Sequence, residues 1–201
     1  MALQSLYMTI ILAPLIASII TGLFGFALGK KFCHTLAILG VLIATVLSYI
    51  LLYKVQVEHL YYNGTLYTWL TVGQQKFVVG ALIDSLTSIM LVVVTSVSLM
   101  VHIYTVGYMA DEEGYTRFFS YISLFTFMMI MLVLSNNFVQ LFFGWEGVGL
   151  VSYLLIGFYI KRESAVFANL KAFLINRIGD FGFLLGIGVV LAYTGSLNYT
   201  D

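Results

Sequence analysis

Glu146 stands in the run Leu141-Phe142-Phe143-Gly144-Trp145-Glu146-Gly147-Val148-Gly149, a carboxylate with apolar residues and glycines on both sides. A charge at the centre of a bilayer costs roughly 2.5–3.5 kcal/mol on insertion scales, so a carboxylate kept there faces protein or water and is a functional group by default. The glycines at 144, 147 and 149 remove bulk around it and let a second helix, a cation or water come close. The competing reading is a carboxylate held neutral or permanently paired to lock helices together.

A second set of polar groups, Lys171, Asn176, Arg177 and Asp180, interrupts another apolar run. On a helix Arg177 and Asp180 are i,i+3 neighbours and Asn176 and Asp180 are i,i+4, so the three share one face. Lys171 falls nearly opposite Asp180, close enough to the start of the run to snorkel toward the surface. An Arg177–Asp180 pair serves equally well as architecture, since buried pairs are often structural. His102 could relay protons, because an unperturbed imidazole titrates near pH 6.5; the commoner role of a lone helical histidine is hydrogen-bonded packing. Asp84 reads as a helix cap. Glu146, Asp180, Arg177, Lys171 and His102 are therefore the candidates for a proton path.

Other chemistries lack their parts. The single Cys33 forms no internal disulfide, and no Cys/His cluster has the spacing of a zinc or iron–sulfur site. Gly25-Phe26-Ala27-Leu28-Gly29-Lys30-Lys31 has one residue too few between its glycines for a phosphate loop and no Ser or Thr after the lysine, and reads as a helix end. Gly147-Val148-Gly149 lacks the last glycine of a dinucleotide fingerprint. Nine acidic and nine basic residues cancel, leaving no field to recruit nucleic acid. Asn63-Gly64-Thr65 and Asn198-Tyr199-Thr200 match the glycosylation pattern, which is too short to carry weight.

The elements that position these groups must be membrane helices. With 61 % apolar and 9 % charged residues, the chain cannot cover a water-facing surface. Runs long enough to cross a hydrocarbon core recur along it, and the spacing predicts an all-α, polytopic membrane protein of about six spans: 6–28, 33–53, 82–106, 118–134, 138–160 and 165–193. The first run has no basic residue before it and exceeds the length of a signal-peptide core, so it reads as a retained helix. Between spans two and three, the Asn63-Gly64 turn signal and the alternation Leu66, Tyr67, Thr68, Trp69, Leu70 predict a small β-hairpin. Lys30, Lys31, Arg117, Lys161 and Arg162 fall in loops on one side, predicted to be cytoplasmic. The first residue, the hairpin and the residues after span six then lie outside. No repeat or linker divides residues 1–201, which read as a single membrane domain.

The stretch Phe143-Gly144-Trp145-Glu146-Gly147-Val148-Gly149-Leu150-Val151-Ser152-Tyr153-Leu154-Leu155-Ile156-Gly157-Phe158 closely resembles the fifth-helix signature of the L subunit, the antiporter-like chain 5 type, of NADH:quinone oxidoreductase, respiratory complex I. Asp111 to Phe119, Lys171 to Phe173, Asn176 to Asp180 and Ile83-Asp84-Ser85-Leu86 resemble the same family in the same order, with Ser85 where glycine is expected. The resemblance runs from about Leu6 to Asp201 and corresponds to the N-terminal third of the family. It implies a proton-translocating subunit in which Glu146 is the proton-carrying glutamate and Asp180 a neighbouring functional carboxylate, with the lysine partners on later helices. It implies that NAD, flavin, iron–sulfur clusters and quinone are bound by other subunits, none by this chain, and that the partners are membrane and peripheral complex I subunits and the lipid bilayer. The implied location is a bacterial inner or mitochondrial inner membrane. The large subunit of multisubunit cation/proton antiporters shares the helix set and is the runner-up; a passive membrane anchor is the reading from another class.

Overall fold

The structure, a computed structural model, describes residues 3–72 and 75–199. Among the described residues, five helices are long and apolar enough to cross a membrane: α1 (Leu3–Val57), α2 (Ser85–Tyr108), α3 (Tyr115–Val133), α4 (Phe138–Ile156) and α5 (Glu163–Thr194). The first two predicted spans are both in α1. Gly29, at φ 81° and ψ 163°, breaks that helix, a backbone conformation open to glycine. The two arms, 3–28 and 30–57, fold back on each other: a Cβ on Gly40 would lie 2.9 Å from the Ala13 carbonyl and the Ala17 methyl, and the Cys33 thiol donates to the Gly25 carbonyl at 3.7 Å. The lysine-rich Gly25–Lys31 stretch is thus a helix reversal, as its sequence suggested.

Two antiparallel strands, β1 (Tyr62–Val72) and β2 (Gln75–Ile83), form the predicted hairpin between the second and third spans. The turn is not where Asn63-Gly64 placed it. Asn63 pairs with Leu82 and Gly64 with Ala81, at the base of the ladder, which continues to Val72 opposite Gln75; residues 73 and 74 lie outside the described residues. The register brings the hairpin base onto neighbouring helices, which outweighs the local turn preference. Thr200 of the second glycosylation pattern and the side chain of Lys76 also lie outside the described residues.

Lipid is as apolar as leucine, so helices in a bilayer associate through close packing and polar contacts more than through hydrophobic burial. Ser18, Gly22 and Gly25 make such a seam on α1. Ser18 and Ser120 of α3 each donate a hydroxyl proton to the other's carbonyl, at 2.8 and 2.9 Å, and added Cβ atoms at Gly22 and Gly25 would meet Ser120 and Thr116. α3 is central, packing on α1, α2 and α4; α5 packs on α4. One apolar cluster gathers Tyr7, Leu51, Ile83, Leu91 and Leu134, a second Ala37, Met109, Phe119 and Phe158.

The capping groups follow from the sequence. Asp84 accepts from the Thr87 N–H at 2.7 Å at the start of α2, the role expected of it. Asn137 accepts from the Gln140 N–H at 2.8 Å at the start of α4. Gly195, at φ 72°, ends α5. The connections also sort to two ends as the basic-loop pattern predicts. The Leu82 N–H reaches the Leu134 carbonyl and the Phe138 N–H the Leu197 carbonyl, so the hairpin base, the α3–α4 turn and the segment after α5 share one end. Lys30 donates to the Ala110 carbonyl at 2.8 Å and Lys161 pairs with Glu113 at 3.4 Å at the other.

Candidate functional site

Glu146 lies eight residues into α4, about 12 Å along it at 1.5 Å per residue, and Arg177 and Asp180 lie mid-way along α5. The α4–α5 packing brings the three together. Arg177 Nη2 is 2.6 Å from Glu146 Oε2 and 2.8 Å from Asp180 Oδ2, so one guanidinium serves two carboxylates on two helices. The indole N–H of Trp145 donates to Asp180 Oδ1 at 2.8 Å. Asp180 Oδ2 has only the off-axis ion contact, without an aligned hydrogen bond. Among the side chains, Asp180 is 7 % exposed, Glu146 26 % and Arg177 41 %, so Asp180 is the anchored carboxylate and Glu146 the reachable one.

A cavity of about 280 Å³ opens beside the pair, lined by Glu146, Asn176, Arg177, Met128, Phe143 and Phe173 among others. At about 30 Å³ per water it has room for several molecules, and Glu146, Asn176 and Arg177 are the polar groups on its lining that water could bind. The glycines around Glu146 divide by role. A Cβ on Gly144 would sit 2.7 Å from the Leu132 Cα, so this glycine sets the α3–α4 approach. Gly147 faces the Met128 thioether, and Gly149 meets only Arg177 Nη2, at 3.9 Å, leaving room beneath the guanidinium. Arg177 also lies 5.3 Å from the Phe173 ring centroid.

The other candidates stand apart. Lys171 is exposed on α5, and none of the described ion pairs includes it. His102 is fully buried between α2 and α3. Its Nδ1 lies 2.8 Å from the Ser98 carbonyl, which can only accept, so Nδ1 carries a proton; Nε2 lies 3.1 Å from the Ser123 hydroxyl. Ser98 continues the contacts to Thr126 at 2.5 Å. That network ties α2 to α3 and does not reach the carboxylates.

Two features were not singled out from sequence. Trp145 holds Asp180, and its signal was an indole beside Glu146 in mid-span, where an N–H needs an acceptor. Asn136, Asn137 and Gln140 form an amide clamp on the hairpin: Gln140 accepts from the Gly80 N–H at 2.8 Å and donates to its carbonyl at 3.1 Å, and Asn137 donates to the Val78 carbonyl at 3.0 Å. No spacing rule announces this clamp, because its partners are backbone groups distant in sequence. Among the described residues no group of three or more His, Cys, Asp or Glu could hold a metal.

Residues 69–119 match the family model described as NADH-ubiquinone oxidoreductase (complex I), chain 5 N-terminus, and residues 135–201 match that described as NADH:quinone oxidoreductase/Mrp antiporter, TM. NADH-quinone oxidoreductase subunit L of Neisseria meningitidis serogroup B is 64 % identical over 98 % of this chain and 30 % of its own length. The chain belongs to the chain 5, or subunit L, family of NADH:quinone oxidoreductase.

Two further relatives are less similar. Subunit L of Rickettsia conorii is 47 % identical over all of this chain and 31 % of its own length, and NADH-ubiquinone oxidoreductase chain 5 of Dictyostelium citrinum is 47 % identical over 97 % and 29 %. The chain thus spans about 30 % of the length of the curated relatives it matches. Two solved assemblies share the fold: the membrane-bound sulfane sulfur reductase, an archaeal respiratory membrane complex, at TM-score 0.77 and 20 % identity over 96 % of this chain and 38 % of the other, and the Mrp complex from Dietzia sp. DQ12-45-1b, at 0.79 and 18 % over 98 % and 20 %. The chain 5 family member described here is a multi-pass protein of energy-converting membranes.

Proposed function

We propose that this chain contributes a proton-loading site to the membrane arm of NADH:quinone oxidoreductase, coupling NADH oxidation and quinone reduction on other subunits to proton movement. The observation that carries the reading is the Arg177 guanidinium shared between Glu146 and Asp180 beside a cavity in mid-helix. Two carboxylates and one guanidinium leave one formal negative charge, and a single proton neutralises the trio. A neutral cluster is the cheaper state where water is scarce.

Glu146 is the carboxylate that takes that proton, because it lines the cavity and is more exposed than Asp180. Asp180, held by Trp145 and by Arg177, is the fixed acceptor toward which the guanidinium leans when Glu146 is neutral. Lys171 and His102 act in this reading at the approaches to the path, apart from the trio. Nicotinamide, flavin, iron–sulfur and quinone sites belong to partner subunits in this reading. The 64 % relative named as subunit L favours this reading over a cation/proton antiporter subunit, whose likeness at 18 % identity is one of fold.

The test is Glu146→Gln in the assembled complex, nearly isosteric and unable to ionise. Pumped protons per NADH, measured in vesicles, should fall well below wild type while assembly is retained, and Asp180→Asn should depress pumping less. Wild-type stoichiometry and turnover in an assembled Glu146→Gln complex would reduce Glu146 to a helix-packing residue.

A further inference from the structure

At the end of the bundle opposite the hairpin, a cleft of about 490 Å³ is lined by both signs of charge and by apolar groups, including Glu112, Glu113, Arg117, Lys161, Arg162 and Phe26. We infer that this cleft seats the phosphoethanolamine headgroup of a phosphatidylethanolamine lipid, with Phe26 against its acyl chains. The inference is independent of the proton site, which lies between α4 and α5 in mid-helix.

The chemistry of the walls selects this headgroup. Arg117 is fixed in place by its stack on Phe158, 4.9 Å from the ring centroid, and by one long bond from Nη2 to the Phe158 carbonyl at 3.4 Å. A guanidinium has five N–H donors in a fork that matches phosphate oxygens, so most of that capacity is open to a ligand in the cleft. Arg162, stacked 4.7 Å from the Tyr159 ring centroid, brings a second cation. The lining carboxylates are those of Glu112 and Glu113. The described ion pair among them is Lys161 to Glu113, at 3.4 Å with side chains 85 % and 94 % exposed, a contact worth little in water.

Three cations and two carboxylates line the cleft. An anionic headgroup would satisfy the arginines and leave the glutamates facing it. A phosphoethanolamine supplies a phosphate for Arg117 and Arg162 and an ammonium, with three N–H donors, for the glutamates. A choline headgroup carries the same charge but no N–H donor, so hydrogen bonding discriminates the two. The surroundings are those of a lipid rather than a free phosphate. Phe26 is 98 % exposed and Ile160 69 %, apolar groups bare at the rim of a charged cleft, in the order in which a phospholipid presents tails and headgroup.

The protein in its native membrane assembly, reconstituted in phosphatidylcholine nanodiscs, is irradiated with trace phosphatidylethanolamine, phosphatidylcholine or phosphatidylglycerol probes bearing a diazirine on one acyl chain. Labelling is mapped by peptide mass spectrometry. The ethanolamine probe should label the peptides containing Phe26 and residues 158–162 about fivefold more than the choline probe, the scale of one charge-assisted hydrogen bond at a partly wet site. Glu112→Gln with Glu113→Gln should bring the ethanolamine probe down to the choline level, and Arg117→Gln should lower all three probes. Equal wild-type labelling by the ethanolamine and choline probes overturns the proposal without reference to any variant. It is also overturned by stronger labelling from the glycerol probe, by free phosphoethanolamine competing mole for mole with the lipid, or by crosslinks at these peptides to an adjoining subunit in place of lipid.

Discussion

Arg177 is the residue on which the α4–α5 contact turns, because its two partners are unequal. Asp180 is nearly sealed and has the Trp145 indole as its other polar neighbour, whereas Glu146 borders a cavity. Removing the cation therefore strands a buried carboxylate. Breaking a buried pair from one side costs more than neutralising both members. Arg177→Gln should lower the stability of the assembled protein by about 1–2 kcal/mol, a figure discounted from the fully buried case because the guanidinium is 41 % exposed. Asp180→Asn, which keeps the acceptor for Trp145, should cost less, and Arg177→Gln with Asp180→Asn should recover part of the single-variant loss. Thermal unfolding of the purified assembly measures all three. Additive losses would mean that the ion pair contributes nothing beyond its separate side chains.

Helices α3 and α4 approach most tightly against backbone at Gly144, and the other glycines of α4 and α5 meet a movable side chain or open space. At Gly144 the atoms in the way belong to the Leu132 backbone, which cannot swing aside; at Gly147 the obstacle is the flexible Met128 side chain; at Gly186 nothing lies within 4 Å. Gly144→Ala should destabilise by roughly 1–3 kcal/mol through overpacking. Gly186→Ala should be neutral or stabilising by up to ~1 kcal/mol, through the helix propensity gained. Equal effects of the two on thermal unfolding would contradict the packing assignment. The hairpin has its own anchor in Gln140, whose amide serves both backbone groups of Gly80. Gln140→Leu should leave those groups unsatisfied and raise hydrogen exchange at the Gly80 amide by about fivefold to a hundredfold, the scale of losing roughly 1–3 kcal/mol at a buried polar site. Unchanged exchange there would show that the ladder alone holds the strand.

The sequence was most legible where chemistry is local. Asp84 as a cap, Gly25–Lys31 as a helix end and Arg177 beside Asp180 all depend on residues within one turn or two, and each stands in the structure as read. Long-range partners were harder. That Arg177 reaches Glu146, that Trp145 holds Asp180 and that Gln140 grips Gly80 depend on how α3, α4, α5 and the hairpin stack, and stacking leaves no periodic trace. The Asn63-Gly64 turn failed for the same reason, a strong local preference set aside by the pairing of the whole strand.

At the scale of the molecule, the two ends of the bundle are chemically distinct, and that distinction predicts its orientation in a membrane. One end carries the aromatic hairpin, with Tyr67 63 % and Trp69 55 % exposed, as suits a headgroup belt. The other carries Lys30, Arg117, Lys161 and Arg162, with Lys30 tied to Ala110 and Lys161 to Glu113 across separate connections. Basic residues in short loops tend to stay on the cytoplasmic side, which predicts that the hairpin faces outward. The native thiol does not interfere with a labelling test, because Cys33 is buried. Cysteine introduced at Tyr67 or at Lys161, both exposed positions, should separate the two faces. In right-side-out vesicles an impermeant maleimide should modify Tyr67→Cys and spare Lys161→Cys, and in inverted vesicles the pattern should exchange. Modification of both from the same side would place the two connections on one face and contradict a bundle in which α1 crosses twice; a consistent pattern of the opposite sense would keep the bundle and invert its orientation.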